Sequence, residues 1–144
     1  MKASIFFRIA AVLSVLFACG HTFGFRQTDP EWRVDATVNS MKSVRFAVQG
    51  FDRSYWDFFV GFGSFVTVFL VLAAVTAWQL GRLPSTVLPS MRLSAWALTL
   101  SFAAIAILSW RYFFLVPLVF SVLILACLLV GTLMLERAVG KELH

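Results

Sequence analysis

The sequence predicts an all-α integral membrane protein: a four-helix bundle that spans the membrane, with an amphipathic helical segment between the first two transmembrane helices. Hydrophobic residues make up 60% of the 144-residue chain and charged residues only 13%, whereas soluble domains carry about a quarter charged residues. The mean hydropathy is +0.88. The apolar residues also fall into runs long enough to cross a bilayer core about 30 Å thick. These runs leave a single long connection, so residues 1–144 are expected to form one domain.

Four spans are predicted, at about residues 5–25, 55–80, 93–110 and 112–135. Short turns join the last three, which predicts antiparallel neighbours. Tryptophans stand near the ends of the second and third spans, where indole rings favour the headgroup level of the bilayer. These residues are Trp56, Trp78, Trp96 and Trp110. The alternative is that some of the rings pack inside the bundle.

The orientation depends on lysine and arginine near the ends of the spans. The first span carries most weight in this rule, and Lys2 and Arg8 therefore predict that both termini are cytoplasmic. The same residues, followed by the apolar stretch 9–17 and Cys19, also fit a signal peptide with a lipoprotein-type cysteine. Phe17 is bulkier than such a cleavage site normally tolerates, so we expect the first span to be retained.

The polar segment 26–53 is predicted to contain an amphipathic helix. Asp29-Pro30-Glu31 combines an N-cap, a proline at the first helical position and an acid in the first turn. Valine and methionine then recur at helical spacing, and Gly50 supplies the stop. The apolar positions are Val34, Val38, Met41, Val44 and Val48. We expect this helix to lie on the membrane or across the mouth of the bundle; the alternative is a solvated loop with partial helix.

His21 is the first candidate for a functional role. It shares a helical arc with Ala10, Ser14 and Ala18, small residues that allow other helices to approach closely. We therefore predict that His21 points into the bundle.

Asp57 is the second candidate, at the start of the second span. Arg53 precedes it by four residues, which predicts an ion pair on one helical face. Gly61 and Ser64 continue that face, so Asp57 is expected to point inward.

The turn at Trp110-Arg111 is expected at the same membrane face. The candidate ligand-binding residues are therefore His21, Arg53, Asp57, Trp110 and Arg111. Together they would form a polar mouth covered by residues 29–49, since an ionisable group at membrane depth is a functional hypothesis by default. The alternative is an interfacial cluster of charges that only ties helix ends together.

Two glycines and two cysteines in the apolar runs are further candidates for packing or for a site. Gly20 and Gly24 form a G-x-x-x-G pattern, which serves close packing within the monomer or, alternatively, association with another subunit. Cys19 and Cys127 lie in separate apolar runs with no metal-ligand or redox spacing. The sequence predicts no metal site, no cofactor and no catalytic residue.

Two short segments resemble those of small bacterial four-span proteins of uncharacterised function: GHTFGF at 20–25 and RSYWDFFVGFG at 53–63. The overall layout is similar to the DoxX-like group. This resemblance implies a bacterial inner membrane and a four-helix bundle, and it transfers no catalytic residue.

These features favour a membrane protein that binds a hydrophobic or amphiphilic small molecule at the mouth of the bundle. A structural or accessory subunit of a membrane complex is the alternative. A membrane-embedded enzyme comes third, because the sequence lacks an evident nucleophile, metal set or paired carboxylates. The net charge of +5 is spread over loops and termini, so the expected partner is the lipid bilayer and not nucleic acid.

Overall fold

The protein is almost entirely helical in a computed structural model that describes residues 3–142, and the side chains of residues 3–138. The α-helices are α1 Ala3–Gly24, α2 Asp35–Ser43, α3 Tyr55–Arg82, α4 Arg92–Tyr112 and α5 Leu115–Glu142. A hairpin of two antiparallel strands, β1 Arg45–Val48 and β2 Phe51–Ser54, lies between α2 and α3. Four of the described helices are long and apolar enough to cross a membrane. The predicted all-α membrane protein with four spans is confirmed.

The observed spans are Ala3–Gly24, Tyr55–Arg82, Leu88–Tyr112 and Leu115–Ala138. The third is longer than predicted because a 3₁₀ turn, Leu88–Met91, leads directly into α4. The connection between the last two spans also differs from the prediction. Arg111 still belongs to α4, and the break falls at Phe113, whose extended backbone (φ −122°, ψ −173°) ends the helix.

The chain divides into two compact units. One unit, residues 18–69, contains the end of α1, the connecting segment with α2 and the hairpin, and the first part of α3. The other, described over residues 3–17 and 70–142, contains the start of α1, the rest of α3, α4 and α5. We call them the hairpin unit and the helical unit.

Antiparallel packing of α4 on α5 forms much of the helical unit. The hydroxyls of Thr99 and Thr132 lie 3.1 Å apart in its buried interior, and Trp96 Nε1 donates to Glu136 Oε1 at 2.9 Å. The start of α4 therefore faces the end of α5, which confirms the antiparallel arrangement predicted for this pair. The buried apolar side chains of this unit include Phe7, Phe102, Ile124 and Leu128.

The segment before α3 departs most from the prediction. Asp29 does cap a helical turn, since its Oδ1 accepts from Glu31 N at 2.9 Å. That turn is a short 3₁₀ helix, Pro30–Trp32, and it ends at Arg33, which has a positive φ of 52°. α2 then runs for nine residues with none of them buried, so the predicted amphipathic character is not confirmed.

The prediction of helix up to residue 49 is wrong, because residues 45–54 form the hairpin. Gln49 and Gly50 both have positive φ, 50° and 85°, as a two-residue turn of type I′ requires. Gly50 is therefore a turn residue and not a helix stop. Arg45 Nε pairs with Asp52 Oδ2 at 2.6 Å across the two strands, and this hydrogen bond raises the pKa of the Arg45 guanidinium.

Candidate functional site

His21 lies in the last turn of α1 and contacts α3. Its Nε2 is 2.9 Å from the carbonyl oxygen of Gly63. Because a carbonyl oxygen only accepts, the Nε2–H of His21 is the donor, and a neutral ring therefore keeps its lone pair on Nδ1. Thr22, the next residue of α1, contacts Thr67, which lies one turn beyond Gly63 on α3. Their hydroxyl oxygens are 3.0 Å apart. His21 thus contacts a neighbouring helix and is half-buried, and its orientation toward the interior of a bundle stays a prediction.

The ring of Phe25 fills the space beside Gly63. A Cβ placed on Gly63 would lie no more than 2.9 Å from three carbons of that ring, so only glycine allows this approach. Phe25 also stacks on His21, with ring centroids 5.0 Å apart and planes at 13°, and meets Phe59 at 5.9 Å. The end of α1 is thus held on α3 by two hydrogen bonds, His21–Gly63 and Thr22–Thr67, and by the ring of Phe25.

Asp57 and Ser54 cap the start of α3 reciprocally. Ser54 Oγ accepts from Asp57 N at 3.2 Å, and Asp57 Oδ2 accepts from Ser54 N at 2.8 Å. This is the capping-box arrangement, in which two amides at a helix start are satisfied by side chains. Ser54 is only 2% exposed. The prediction that Asp57 points inward is wrong, because its side chain is exposed.

The predicted ion pair between Arg53 and Asp57 is also wrong. Among the described residues, the only ion pair within 4.0 Å joins Arg45 to Asp52. The physical reason is that α3 begins at Tyr55. Arg53 belongs to β2 and Asp57 to α3, so the i, i+4 spacing of a single helix does not relate the two side chains. Its Nη1 donates instead to the carbonyl oxygen of Asp52 at 2.8 Å.

Arg53 and Asp57 nevertheless line one open groove on the surface of α3. The full lining is Arg53, Asp57, Phe58, Gly61, Phe62 and Phe65. The two charged residues stand at one end, where the span begins, and phenylalanine forms the walls along the next two turns. These three phenylalanines were not among the residues predicted for the site, although their i, i+4 and i+7 spacing places them on one helical face.

His21 does not belong to this groove. At about 100° per residue, the groove residues centre on one face of α3 and Gly63, which His21 contacts, lies on the opposite side. The predicted polar mouth shared by His21 and Asp57 is therefore wrong, because the body of α3 separates the two side chains.

Trp110 and Arg111 lie in the last turn of α4, in the helical unit. Both side chains are exposed. The Arg111 guanidinium carbon lies 5.3 Å from the centre of the neighbouring Tyr112 ring. A role for these two residues in ligand binding stays a prediction.

Gly20 and Gly24 do not serve close packing within the chain. A Cβ placed on either residue would meet no atom within 4 Å, which corrects the expectation that this pattern packs inside the monomer. The close approaches occur at other glycines, namely Gly63, Gly81 and Gly131.

The part of the chain that the structure describes contains no group of three or more His, Cys, Asp or Glu that could hold a metal ion. Comparison of the chain with protein-family models, with curated proteins and with solved structures finds no significant match in any of the three. The geometry of the α3 groove is therefore the main guide to function.

Proposed function

We propose that this multi-pass membrane protein binds an amphiphilic small molecule in the groove on α3. One observation carries the proposal: the groove combines two opposite charges at the membrane surface with aromatic walls that descend into the span. Sites for small molecules have mostly apolar walls and a few placed polar groups. The resemblance of residues 20–25 and 53–63 supports a bacterial inner membrane as the location, and Lys2 and Arg8 support cytoplasmic termini.

The head of the ligand would lie at Arg53 and Asp57. Neither charge has an ion-pair partner within 4.0 Å in the described part of the chain. Arg53 Nη1 is engaged with a backbone carbonyl, and Asp57 Oδ2 with a backbone amide. A headgroup that carries one anionic and one cationic group, such as phosphocholine, would complement both residues without leaving a net charge.

The tail would lie along Phe58, Phe62 and Phe65, which are 38%, 65% and 60% exposed. Lipid tails are themselves apolar, so burial against phenylalanine gives little selectivity inside a bilayer. The charged head must therefore discriminate the ligand, and the loss of a charge should weaken binding more than the loss of one ring.

Binding of a fluorescently labelled lysophosphatidylcholine to the protein in maltoside micelles tests the proposal by fluorescence anisotropy. We expect Arg53→Gln to weaken binding by about tenfold or more, because hydrogen bonds to charged groups contribute about 1.5–3 kcal/mol. Phe62→Ala should weaken it by a smaller factor. An unlabelled alkyl maltoside with the same chain length should compete poorly.

Two matched controls lie in the same hairpin unit. Arg26 is an exposed arginine outside the groove, and Phe69 is an exposed phenylalanine on α3 outside the groove. Arg26→Gln and Phe69→Ala should bind the probe as the unchanged protein does. Equal losses in Arg26→Gln and Arg53→Gln, or equal competition by the uncharged amphiphile, would contradict the proposal.

The exposed Gly20 and Gly24 favour the second candidate, a subunit that associates with another membrane protein through α1. Small residues at this spacing allow two helices to approach closely, and no atom of the described residues would lie within 4 Å of a Cβ placed on either glycine. If this is correct, Gly20→Leu with Gly24→Leu should lower the oligomer size in light-scattering measurements. Ser101→Leu, on exposed α4 surface, should leave that size unchanged.

A further inference from the structure

Arg8 is a charged residue inside the first membrane span. It lies about 7.5 Å along the axis from Ala3, at about 1.5 Å per residue. Its side chain is exposed, and its Nε donates to the carbonyl oxygen of Gly81 at 2.8 Å. A charged group in a span is costly unless it finds partners, so the surroundings of this guanidinium indicate a function.

The side chain of Arg8 packs closely against the backbone of Gly81. A Cβ on Gly81 would lie 2.6 Å from Arg8 Cγ, 3.0 Å from Ser4 O and 3.1 Å from Arg8 N. Glycine thus lets the arginine side chain lie across the last turn of α3. The last carbonyls of a helix lack intrahelical partners, so the Nε–H of Arg8 satisfies that of Gly81, and its charge complements the helix dipole.

Two nitrogens of the Arg8 guanidinium, Nη1 and Nη2, are available to bind a ligand. No described residue accepts a hydrogen bond from Nη1 or Nη2, which together carry four N–H groups. These two nitrogens form the planar fork that matches two oxygens of a phosphate. The Nε bond to Gly81 fixes the fork, because it removes rotational freedom from the guanidinium.

An open apolar groove runs along α1 beside this fork. It is lined by Ile5, Arg8, Ile9, Val12 and Leu13, and its surface is almost entirely apolar. Among the described residues that line it, Arg8 alone is charged. A cation at one end of an apolar groove in a membrane span complements a lipid, with the phosphate at the cation and an acyl chain along the aliphatic side chains.

The end of the helical unit that contains Arg8 carries mostly basic side chains, which favours an anionic lipid. The bonds Arg8–Gly81 and Trp96–Glu136, together with the approach of Phe7 to Gly131, place the start of α1, the end of α3, the start of α4 and the end of α5 together. The described charged side chains there are Arg8, Arg82, Arg92, Glu136 and Arg137. The carboxylate of the single acid already accepts from an indole, so the end is basic.

We propose that Arg8 binds the phosphate of an anionic phospholipid whose acyl chain lies in the groove along α1. This site shares no residue with the groove on α3 and does not depend on the function proposed there. The lipid would supply oxygen acceptors for Nη1 and Nη2, which find none among the described residues, and basic neighbours would favour an anionic head over a neutral one.

Native mass spectrometry of the full-length protein in maltoside micelles tests the site with dioleoyl phosphatidylglycerol as the probe. Arg8→Gln should lower the retained lipid by about tenfold, as expected from losing a charge-assisted, bidentate contact. Arg8→Lys keeps the charge but loses the fork, and its loss should be intermediate. Dioleoylglycerol, with the same chains and no phosphate, should not be retained. Glycerol phosphate, with the head and no chains, should not compete at millimolar concentration.

Arg92→Gln is the matched control, because Arg92 is an exposed arginine at the same end outside the groove. Phosphatidylglycerol retention should fall much less in Arg92→Gln than in Arg8→Gln. Val12→Phe fills the groove without touching the Arg8–Gly81 bond, and it should lose the lipid even if Arg8→Gln does not fold. Retention in Val12→Phe at the level of the unchanged protein, or an equal loss in Arg92→Gln, would overturn the proposal.

Discussion

Gly63→Ala is expected to destabilise the contact between α1 and α3, and the effect should depend on Phe25. The new methyl group would lie no more than 2.9 Å from three carbons of the Phe25 ring, whereas carbon atoms pack best at about 3.5–4.0 Å. The backbone of α3 is held by its helical hydrogen bonds, so the ring must move.

The magnitude follows from the contacts that the ring would give up. Phe25 meets His21 at 5.0 Å and Phe59 at 5.9 Å between ring centroids, and each aromatic pair contributes about 0.5–1.5 kcal/mol. Replacing glycine by alanine within a helix stabilises the helix by about 0.5–1 kcal/mol, which offsets part of this loss. The net loss in unfolding free energy should therefore be about 0.5–2 kcal/mol.

Titration of the protein in maltoside micelles with sodium dodecyl sulfate, followed by circular dichroism, measures this free energy. Gly61→Ala is the control, because a Cβ there meets nothing within 4 Å, and it should be neutral or stabilising. In a Phe25→Ala background, Gly63→Ala should change sign and become stabilising. Equal stability of Gly63→Ala and Gly61→Ala in the otherwise unchanged protein would refute the reasoning.

The remaining predictions concern the helix cap and the helical interior, and the same titration measures both. Ser54→Ala removes the side-chain cap of α3 and should lower the unfolding free energy by about 1 kcal/mol. Ser64→Ala is the control and should have little effect, because the Ser64 hydroxyl is exposed and donates within its own helix. Thr132→Val removes the buried hydroxyl that meets Thr99, at a cost of about 0.6 kcal/mol as for other hydrogen bonds between membrane helices. Thr76→Val should have a smaller effect, since its hydroxyl bonds only to the preceding turn, and an equal loss there would argue against the interhelical bond.

The four spans could be predicted from the sequence because a helix that crosses the bilayer requires a long apolar run whose backbone hydrogen bonds are satisfied within the run. The predicted boundaries failed only where local geometry decides. Tyr112 still belongs to α4, and the chain breaks at the extended Phe113, a conformation that hydropathy does not record.

The hairpin could not be recognised from apolar spacing alone. Val34, Val38, Met41, Val44 and Val48 fit one helical face, but only Val38 and Met41 lie within α2, and Val48 lies in β1. The deciding signal is the turn at residues 49 and 50, since glycine after a polar residue supplies the positive φ that a two-residue hairpin turn requires. The same error placed Arg53 on a helix, and the predicted ion pair with Asp57 failed for that reason.

Asp57 has two roles in this account, and they can be separated. Its carboxylate caps α3 through the amide of Ser54, and its charge would contact the ligand head in the groove. Asp57→Asn keeps an oxygen acceptor for that amide while removing the charge, whereas Asp57→Ala removes both. Binding loss in Asp57→Asn with α3 intact would assign the effect to the charge. Loss only in Asp57→Ala would assign it to the cap. Arg53 donates its described hydrogen bond to a neighbouring carbonyl and does not cap the helix, so Arg53→Gln reports on the ligand head with the least disturbance of the fold.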